Sequence, residues 1–380
     1  MRKVLFTETT SEINGGQKMS LLVADMLTES RQYEAIWAIP EEGRLSEQLK
    51  VRGMKYYLLG NVDLPAGVKD RSVIFKYAVL SLLSIRKIIR IISKEKVDII
   101  YSPGPASLPW AAVCGSIKRR PVIWHLHHIF SDSPTMKLLN ICGEFNSVRR
   151  IVSVSESVSN QMASKVAHEK VKVLYNPVDY QKYRNGNANN ISGEIPFSYN
   201  FDKTKLIIEQ IGTIHPSKEQ DKVIRICGSL LERGCDVFAV FIGGCNDSEA
   251  EYRNELVTLA EKLGMRDRIF FLGLRDDVND LIKGAGVILV PSIEGFSLVA
   301  LEAMAAGIPV VATERCGVGE LIKNSRAGYT YREDEDNSVI CDKIMEACID
   351  TNISANGYKF ALRHNDLAYK SELLELFSFL

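Results

Sequence analysis

The feature that most narrows the fold is an alternation, run through twice. In residues 1–180 the apolar runs KVLFT, AIWAI, MKYYLL, VDIIYS, PVIWHLH, RIVSVS and VKVLY read as strands. Stretches of helical period, such as MSLLVADML and VSNQMASKVA, separate most of them. Strands that alternate with helices predict a parallel sheet wrapped by helices. Residues 181–203 (QKYRNGNANNISGEIPFSYNFDK) interrupt the pattern and read as a polar linker rich in Asn and Gly. The alternation then restarts with KLIIEQIG, DVFAVFIGG, RIFFLG, GVILVPS and PVVAT, interleaved with helices such as KVIRICGSLLER and AEYRNELVTLAEKLG.

A chain of 380 residues exceeds one ordinary core. The fold class expected is α/β, with two Rossmann-like domains in tandem, residues 1–180 and residues 204–358. The last helical stretch, about residues 360–380 and ending in KSELLELFSFL, is expected to pack back onto the first domain. Two such domains would face a central cleft at the carboxyl ends of their strands, where open α/β sheets bind ligands.

Lys plus Arg equals Asp plus Glu at 47 each, so only the distribution of charge is informative. Residues 1–180 carry a net charge of +8 and the remainder −8, which points to an anionic surface near the first half. Residues 69–96 concentrate the effect, with eight basic and two acidic side chains and with Arg86, Arg90 and Lys94 on one helical line. Two readings stay open: a core-packed helix with a solvated basic edge, or a segment that meets an anionic membrane surface or a lipid-linked phosphate. No aromatic-interleaved basic groove accompanies it, so nucleic acid is not an expected partner.

The eight cysteines, Cys114, Cys142, Cys227, Cys235, Cys245, Cys316, Cys341 and Cys348, form no Cys-x-x-Cys pair. They are expected to be reduced and mostly buried. MRKVLFTETT is too short and too soon polar for a signal peptide. No uncharged apolar run approaches the ~20 residues of a membrane span. The expected location is cytoplasmic, peripheral to the membrane at most.

Candidate chemistry concentrates in residues 291–310, PSIEGFSLVALEAMAAGIPV. This reads as a strand end, a glycine turn, a helix beginning near Phe296 and a second strand. Free backbone N–H groups of Phe296, Ser297 and Leu298 at a positive helix end would suit a phosphate or diphosphate. Gly295 would let that backbone approach closely. Glu294 precedes the helix and could accept from sugar hydroxyls. Glu302 lies in the apolar run LVALEAMAA, where an unpaired buried carboxylate costs several kcal/mol. It is therefore expected to face a ligand or cavity, such as a ribose. The bland alternative is an acid complementing the helix dipole beside a structural Glu.

This stretch resembles the signature of retaining GT-B glycosyltransferases of family four, in which seven residues separate two glutamates. The resemblance runs from GGCNDSEAEYRNELVTLAEKLG through VATERCGVGELI, and less strongly through NGGQ, PVIWHLHH, SVSES and VLYNPVD. It implies a GT-B fold and a nucleotide diphosphate sugar as donor. It also implies a glycan or lipid-linked glycan as acceptor, in polysaccharide or glycolipid synthesis. In IGTIHPSKEQD (211–221) a strand end at Gly212 leads into a loop carrying Lys218, which could neutralise a diphosphate leaving group. The family pattern has Arg where this chain has Thr213 and glycine where it has Glu219. Arg275 or His215 would be the candidate substitutes. Gly15 and Gly16 of NGGQ match a turn that approaches an anion, with an ordinary turn as the alternative. They lack the spacing of a nicotinamide fingerprint.

His125, His127 and His128 end the strand PVIWHLH, with His125 and His127 on one face. Metal binding by this trio lacks a completing carboxylate or thiol. In the family a histidine at the His127 position faces the transferred sugar; the alternative is a hydrogen-bonded core residue. Asp334-Glu335-Asp336 is the sole Asp-x-Asp and lies in a charged run. No cofactor and no obligatory metal are expected. The resemblance thus assigns catalysis to Glu294, His127 and Lys218. It assigns donor binding to Gly15, Gly16, Gly212, Thr213, Lys218, Glu294, Gly295, Phe296, Ser297, Leu298 and Glu302. A sugar-nucleotide epimerase of similar architecture and a non-catalytic nucleotide- or partner-binding subunit remain the rival readings.

Overall fold

The computed structural model describes residues 1–60, 71–130, 133–187, 205–245, 249–315 and 317–380, without the side chains of 71–75, 133 and 324. Cys316 and most of the expected linker lie outside the described residues. The chain forms two compact units, one of Met1–Asn176 with Leu367–Leu380, the other of Pro177–Asp366.

The first unit is built on β1 (Arg2–Thr7), β2 (Tyr33–Ile39), β3 (Lys55–Leu58), β4 (Ile99–Ser102), β5 (Val122–Leu126), β6 (Val148–Ser153) and β7 (Val171–Val173). Its helices are α1 (Gly15–Glu29), α2 (Arg44–Val51), α3 (Arg71–Glu95), α4 (Ser107–Lys118), α5 (Ser133–Gly143), α6 (Glu156–Ser159) and α7 (Lys165–His168). All strands are parallel, in the order β3-β2-β1-β4-β5-β6-β7. The central strands are apolar on both faces because helices cover both. Phe6 stacks on Trp37 with ring centroids 4.6 Å apart, and Trp37, Trp110 and Trp124 are all buried.

The second unit begins with α8 (Tyr180–Arg184). It continues with β8 (Leu206–Ile211), α9 (Gln220–Glu232), β9 (Val237–Ile242), α10 (Ala250–Lys262), β10 (Ile269–Phe271), α11 (Val278–Ile282) and β11 (Val287–Val290). It closes with α12 (Leu298–Ala306), β12 (Val310–Thr313), α13 (Gly319–Ser325), β13 (Gly328–Tyr331), α14 (Asn337–Ile349) and α15 (Thr351–Arg363). The strand order is β10-β9-β8-β11-β12-β13, again parallel. The last helix, α16 (Asp366–Ser378), belongs to the first unit. There Phe377 meets Tyr33 and Tyr101 at 5.5 and 6.1 Å between ring centroids, and Lys370 pairs with Glu29.

In both sheets the strand order reverses direction once, between β1 and β4 and between β8 and β11. At such a point the following loops diverge and leave a crevice beyond the strand ends. Among the described residues no helix is long and apolar enough to cross a membrane.

Candidate functional site

In the second unit, the two loops that diverge after β8 and β11 carry Lys218 and Glu294. These side chains meet: Lys218 Nζ donates to Glu294 Oε1 at 2.6 Å. Each loop is braced locally. Gln210, near the end of β8, donates its amide to the Lys218 carbonyl at 2.5 Å, and Gln220 donates to the Thr213 carbonyl at 3.0 Å. Both glutamines are buried. The aliphatic stem of Lys218 lies over Gly212, with Cε 3.7 Å from where a Cβ would stand. Gly243, after β9, runs so close beneath that a Cβ there would sit 2.0 Å from the Gly212 carbonyl oxygen. Only glycine fits.

On the β11 side, the Ser292 hydroxyl donates to the same Glu294 oxygen at 3.1 Å, and the Gly317 amide to the Glu294 carbonyl at 2.8 Å. Helix α12 starts at Leu298, not near Phe296. Ser297 is its N-cap, and the Ser297 hydroxyl accepts from the Ala300 amide at 3.3 Å. A Ser with extended backbone that can cap is preferred just outside a helix, so Gly295, Phe296 and Ser297 form the buried entry turn instead. The first-turn N–H groups of Leu298 and Val299 precede the helix's own carbonyl ladder. Glu302, at the start of the second turn, is half-buried. The Tyr183 hydroxyl of α8 hydrogen-bonds it, so this acid in an apolar run has a protein partner.

Thr213 is exposed and contributes its carbonyl to the loop brace. The two candidate substitutes for a family Arg are engaged elsewhere. Arg275 forms a two-pronged pair with Asp277 at 2.8 and 2.6 Å. His215 shares Nδ1 with the hydroxyl and amide of Ser217. Among the described residues no cluster of three or more His, Cys, Asp or Glu could hold a metal.

In the first unit, α1 starts at Gly15, four residues before the apolar run that marks it in the sequence, with Asn14 as N-cap. Gly15 and Gly16 are therefore its first turn, and a Cβ at Gly16 would meet nothing within 4 Å. His127 follows β5 directly. Its ring lies 4.0 Å from that of His125, whose Nδ1 is hydrogen-bonded to the Tyr101 hydroxyl. The His127 residue is half-buried, but its Nε2 is enclosed and lacks a protein partner among the described residues. Burial holds the His125 imidazole down to about 3, so the ring stays neutral. Burial, then His125 and His128, hold His127 well below the ordinary histidine range. Glu8, at the end of β1, was not singled out from the sequence: a lone acid after KVLFT carries no pattern. It is fully buried and belongs to the β1–β4 switch point.

A family model described as Glycosyl transferases group 1 matches residues 192–361, and one described as Glycosyltransferase Family 4 matches residues 13–182. The chain belongs to the group 1 glycosyltransferases. An uncharacterized glycosyltransferase of Methanocaldococcus jannaschii is 26% identical over 313 residues, 77% of this chain and 75% of that one. A D-inositol 3-phosphate glycosyltransferase of Actinosynnema mirum is 30% identical over 210 residues, 52% of this chain and about half (49%) of that relative. Among solved structures, HepE of Anabaena in complex with UDP-glucose aligns with a TM-score of 0.79 over 100% of both chains, at 21% identity. The fold is the GT-B arrangement of two parallel α/β sheets.

Proposed function

We propose that this group 1 glycosyltransferase moves a sugar from a nucleotide diphosphate sugar to an acceptor hydroxyl, with retention of anomeric configuration and without an obligatory metal. The observation that carries the reading is the Lys218–Glu294 pair at the β8–β11 switch point. A cation and a carboxylate there match the two ends of a donor, its diphosphate and its sugar hydroxyls. HepE, of the same fold, was solved with UDP-glucose. On donor binding Lys218 exchanges Glu294 for a phosphate oxygen, while Glu294 accepts from the sugar. Glu302 keeps Tyr183 on one side and offers its remaining lone pairs to the ribose. The N–H groups at the start of α12 face the diphosphate. In the first unit the Gly15–Gly16 turn takes an anion and His127 the sugar.

Transfer follows as a front-side displacement. The acceptor oxygen bonds the anomeric carbon as the bond to the phosphate oxygen breaks, and the departing phosphate takes the acceptor's proton. Catalysis is then chiefly electrostatic preorganisation, with no side chain acting as base.

A polysaccharide or glycolipid acceptor, reached at a membrane surface, accords with α3. Its exposed stripe is apolar at Val79, Leu82 and Leu83 and basic at Arg86, Arg90 and Lys94. The decisive assay follows radiolabelled sugar from UDP-, GDP- and ADP-linked donors. Labelled acceptor with stoichiometric nucleotide diphosphate supports the proposal. A new sugar epimer without nucleotide release would replace it with epimerase chemistry. Binding without any turnover would favour a non-catalytic subunit, the reading that Thr213 supports.

A further inference from the structure

Glu8 occupies in the first sheet the position that the Lys218–Glu294 pair occupies in the second, the strand end at the switch point. Its carboxyl is fully buried, yet it is held on several sides. The Ser20 hydroxyl donates to Oε1 at 2.7 Å and the Gln17 amide to Oε2 at 3.1 Å. Those two residues carry the hold onward. Gln17 Oε1 accepts from the Asn14 amide at 3.3 Å, and Ser20 Oγ reaches the Gly16 carbonyl at 3.1 Å. One carboxyl therefore fixes both ends of the Asn14–Gly16 turn.

We propose that Glu8 is the positioning residue of this glycine turn and that it carries a proton when the turn holds an anion. The inference rests on the reading that Gly15 and Gly16 take the donor's diphosphate. Glu8 itself stays beneath the turn, out of reach of any ligand. A charged carboxylate there would oppose a diphosphate through a medium that screens little, whereas a neutral carboxyl, with Oε1–H donating to Ser20 Oγ and Ser20 donating in turn to the Gly16 carbonyl, would keep both contacts without that repulsion.

The surroundings agree. Against Glu8 stand Gln17 and Ser20 of α1, the Ala38 carbonyl of β2, which takes the Glu8 amide, and Thr9. Gly104 follows β4, with its Cβ direction 3.5 Å from Glu8 Oε2. Among the described residues the titratable neighbour is the Tyr101 phenol of β4, which burial keeps neutral. Among the described residues no cation offsets a charge on Glu8, and burial pushes its carboxyl up to about 7.

The experiment is direct binding of UDP-glucose, GDP-mannose and ADP-glucose to the full chain from about pH 6 to about pH 8. None of these diesters titrates in that range. The wild-type affinity is expected to fall by up to about tenfold across it, the change in the protonated fraction of an acid of that strength. Glu8→Gln, neutral throughout, is expected to bind with a flat profile and within about threefold of wild type at the acid end. Glu8→Ala, which drops both hydrogen bonds, is expected to weaken binding about tenfold at every pH, raising the donor KM more than it lowers kcat. Thermal denaturation and circular dichroism check that each variant is folded. If Glu8→Gln and wild type show parallel profiles, the inference is wrong while the functional reading stands. If the wild type binds none of the three donors, the functional reading fails and takes the inference with it.

Discussion

Lys218 and Glu294 lie 76 residues apart in the chain and 2.6 Å apart in space. Their side chains are about a third and a fifth exposed, and a pair that solvent reaches contributes roughly 0–1 kcal/mol to stability. Conservation of the fold is therefore a weak reason for the pair, and transfer chemistry is a better one. Glu294→Gln and Lys218→Met are each expected to lower labelled-sugar transfer by about 10²–10³-fold, the usual cost of one preorganised group, while the unfolding midpoint stays within a few degrees. The double variant should lose much less than the product, because each single change already breaks the shared contact. Glu294 was legible in the sequence because a carboxylate beside a glycine turn and a helix start is an unusual set. Glu302 was legible as odd but not as paired, since its partner Tyr183 lies 119 positions upstream by residue number, in a helix with no local signal. Glu8 was invisible for a related reason: what makes it unusual is burial and the reach of Gln17 and Ser20, neither of which shows in a single acid after a strand.

At the scale of elements, periodicity gave away the strands set in an apolar run, down to the edge strands β3 and β7, and missed one without such a run. β13 reads GYTY, opens on glycine and sits at the sheet edge beside β12, half-buried along most of its length. An edge strand needs no continuous apolar run, so its sequence resembles a turn. The starts of α1 and α12 were misjudged oppositely, early glycines hiding the first and Phe296 seeming to begin the second. Helix α3 was legible as basic and amphipathic, but only its burial separates the faces. Ser84, Ile88, Ile91 and Ile92 face inward, while Val79, Leu82 and Leu83 stay outside. Exposed leucines beside arginines suit the boundary of an anionic bilayer. Leu82→Ser with Leu83→Ser, and separately Arg86→Glu with Arg90→Glu, are each expected to cut binding to phosphatidylglycerol-containing vesicles about tenfold or more in co-sedimentation. Transfer to a soluble acceptor should be unchanged. Salt should weaken the wild type and the serine variant, and act little on the glutamate variant. Equal sedimentation of all forms would leave α3 as a solvated helix.

For the molecule as a whole, the chain's last helix returns to its first unit, and all three tryptophans lie in that unit. Tryptophan emission therefore reports the first unit's unfolding by itself. Phe377 is fully buried against Tyr33 and Tyr101, so Phe377→Ala is expected to lower that transition by about 3–5 kcal/mol. The same signal can read two opposing titrations within this unit. His125 is neutral in the fold down to about 3 and protonates near the ordinary imidazole value of 6.5 once unfolded. It therefore withdraws stability as pH falls through that interval. Glu8 is protonated in the fold up to about 7 but ionises from about 4.5 when unfolded, so it withdraws stability as pH rises between those values. Between about 4.5 and 6.5 the two slopes oppose each other, each approaching about 1.4 kcal/mol per pH unit. The Glu8 share reaches roughly 3 kcal/mol above pH 7. Urea unfolding of wild type and Glu8→Gln, followed by tryptophan emission, should give a difference that grows in favour of the variant from about pH 4.5 to pH 7 and then levels off. A difference independent of pH would mean that Glu8 does not hold its proton in the folded unit, and the acid limb would then belong to the histidines alone.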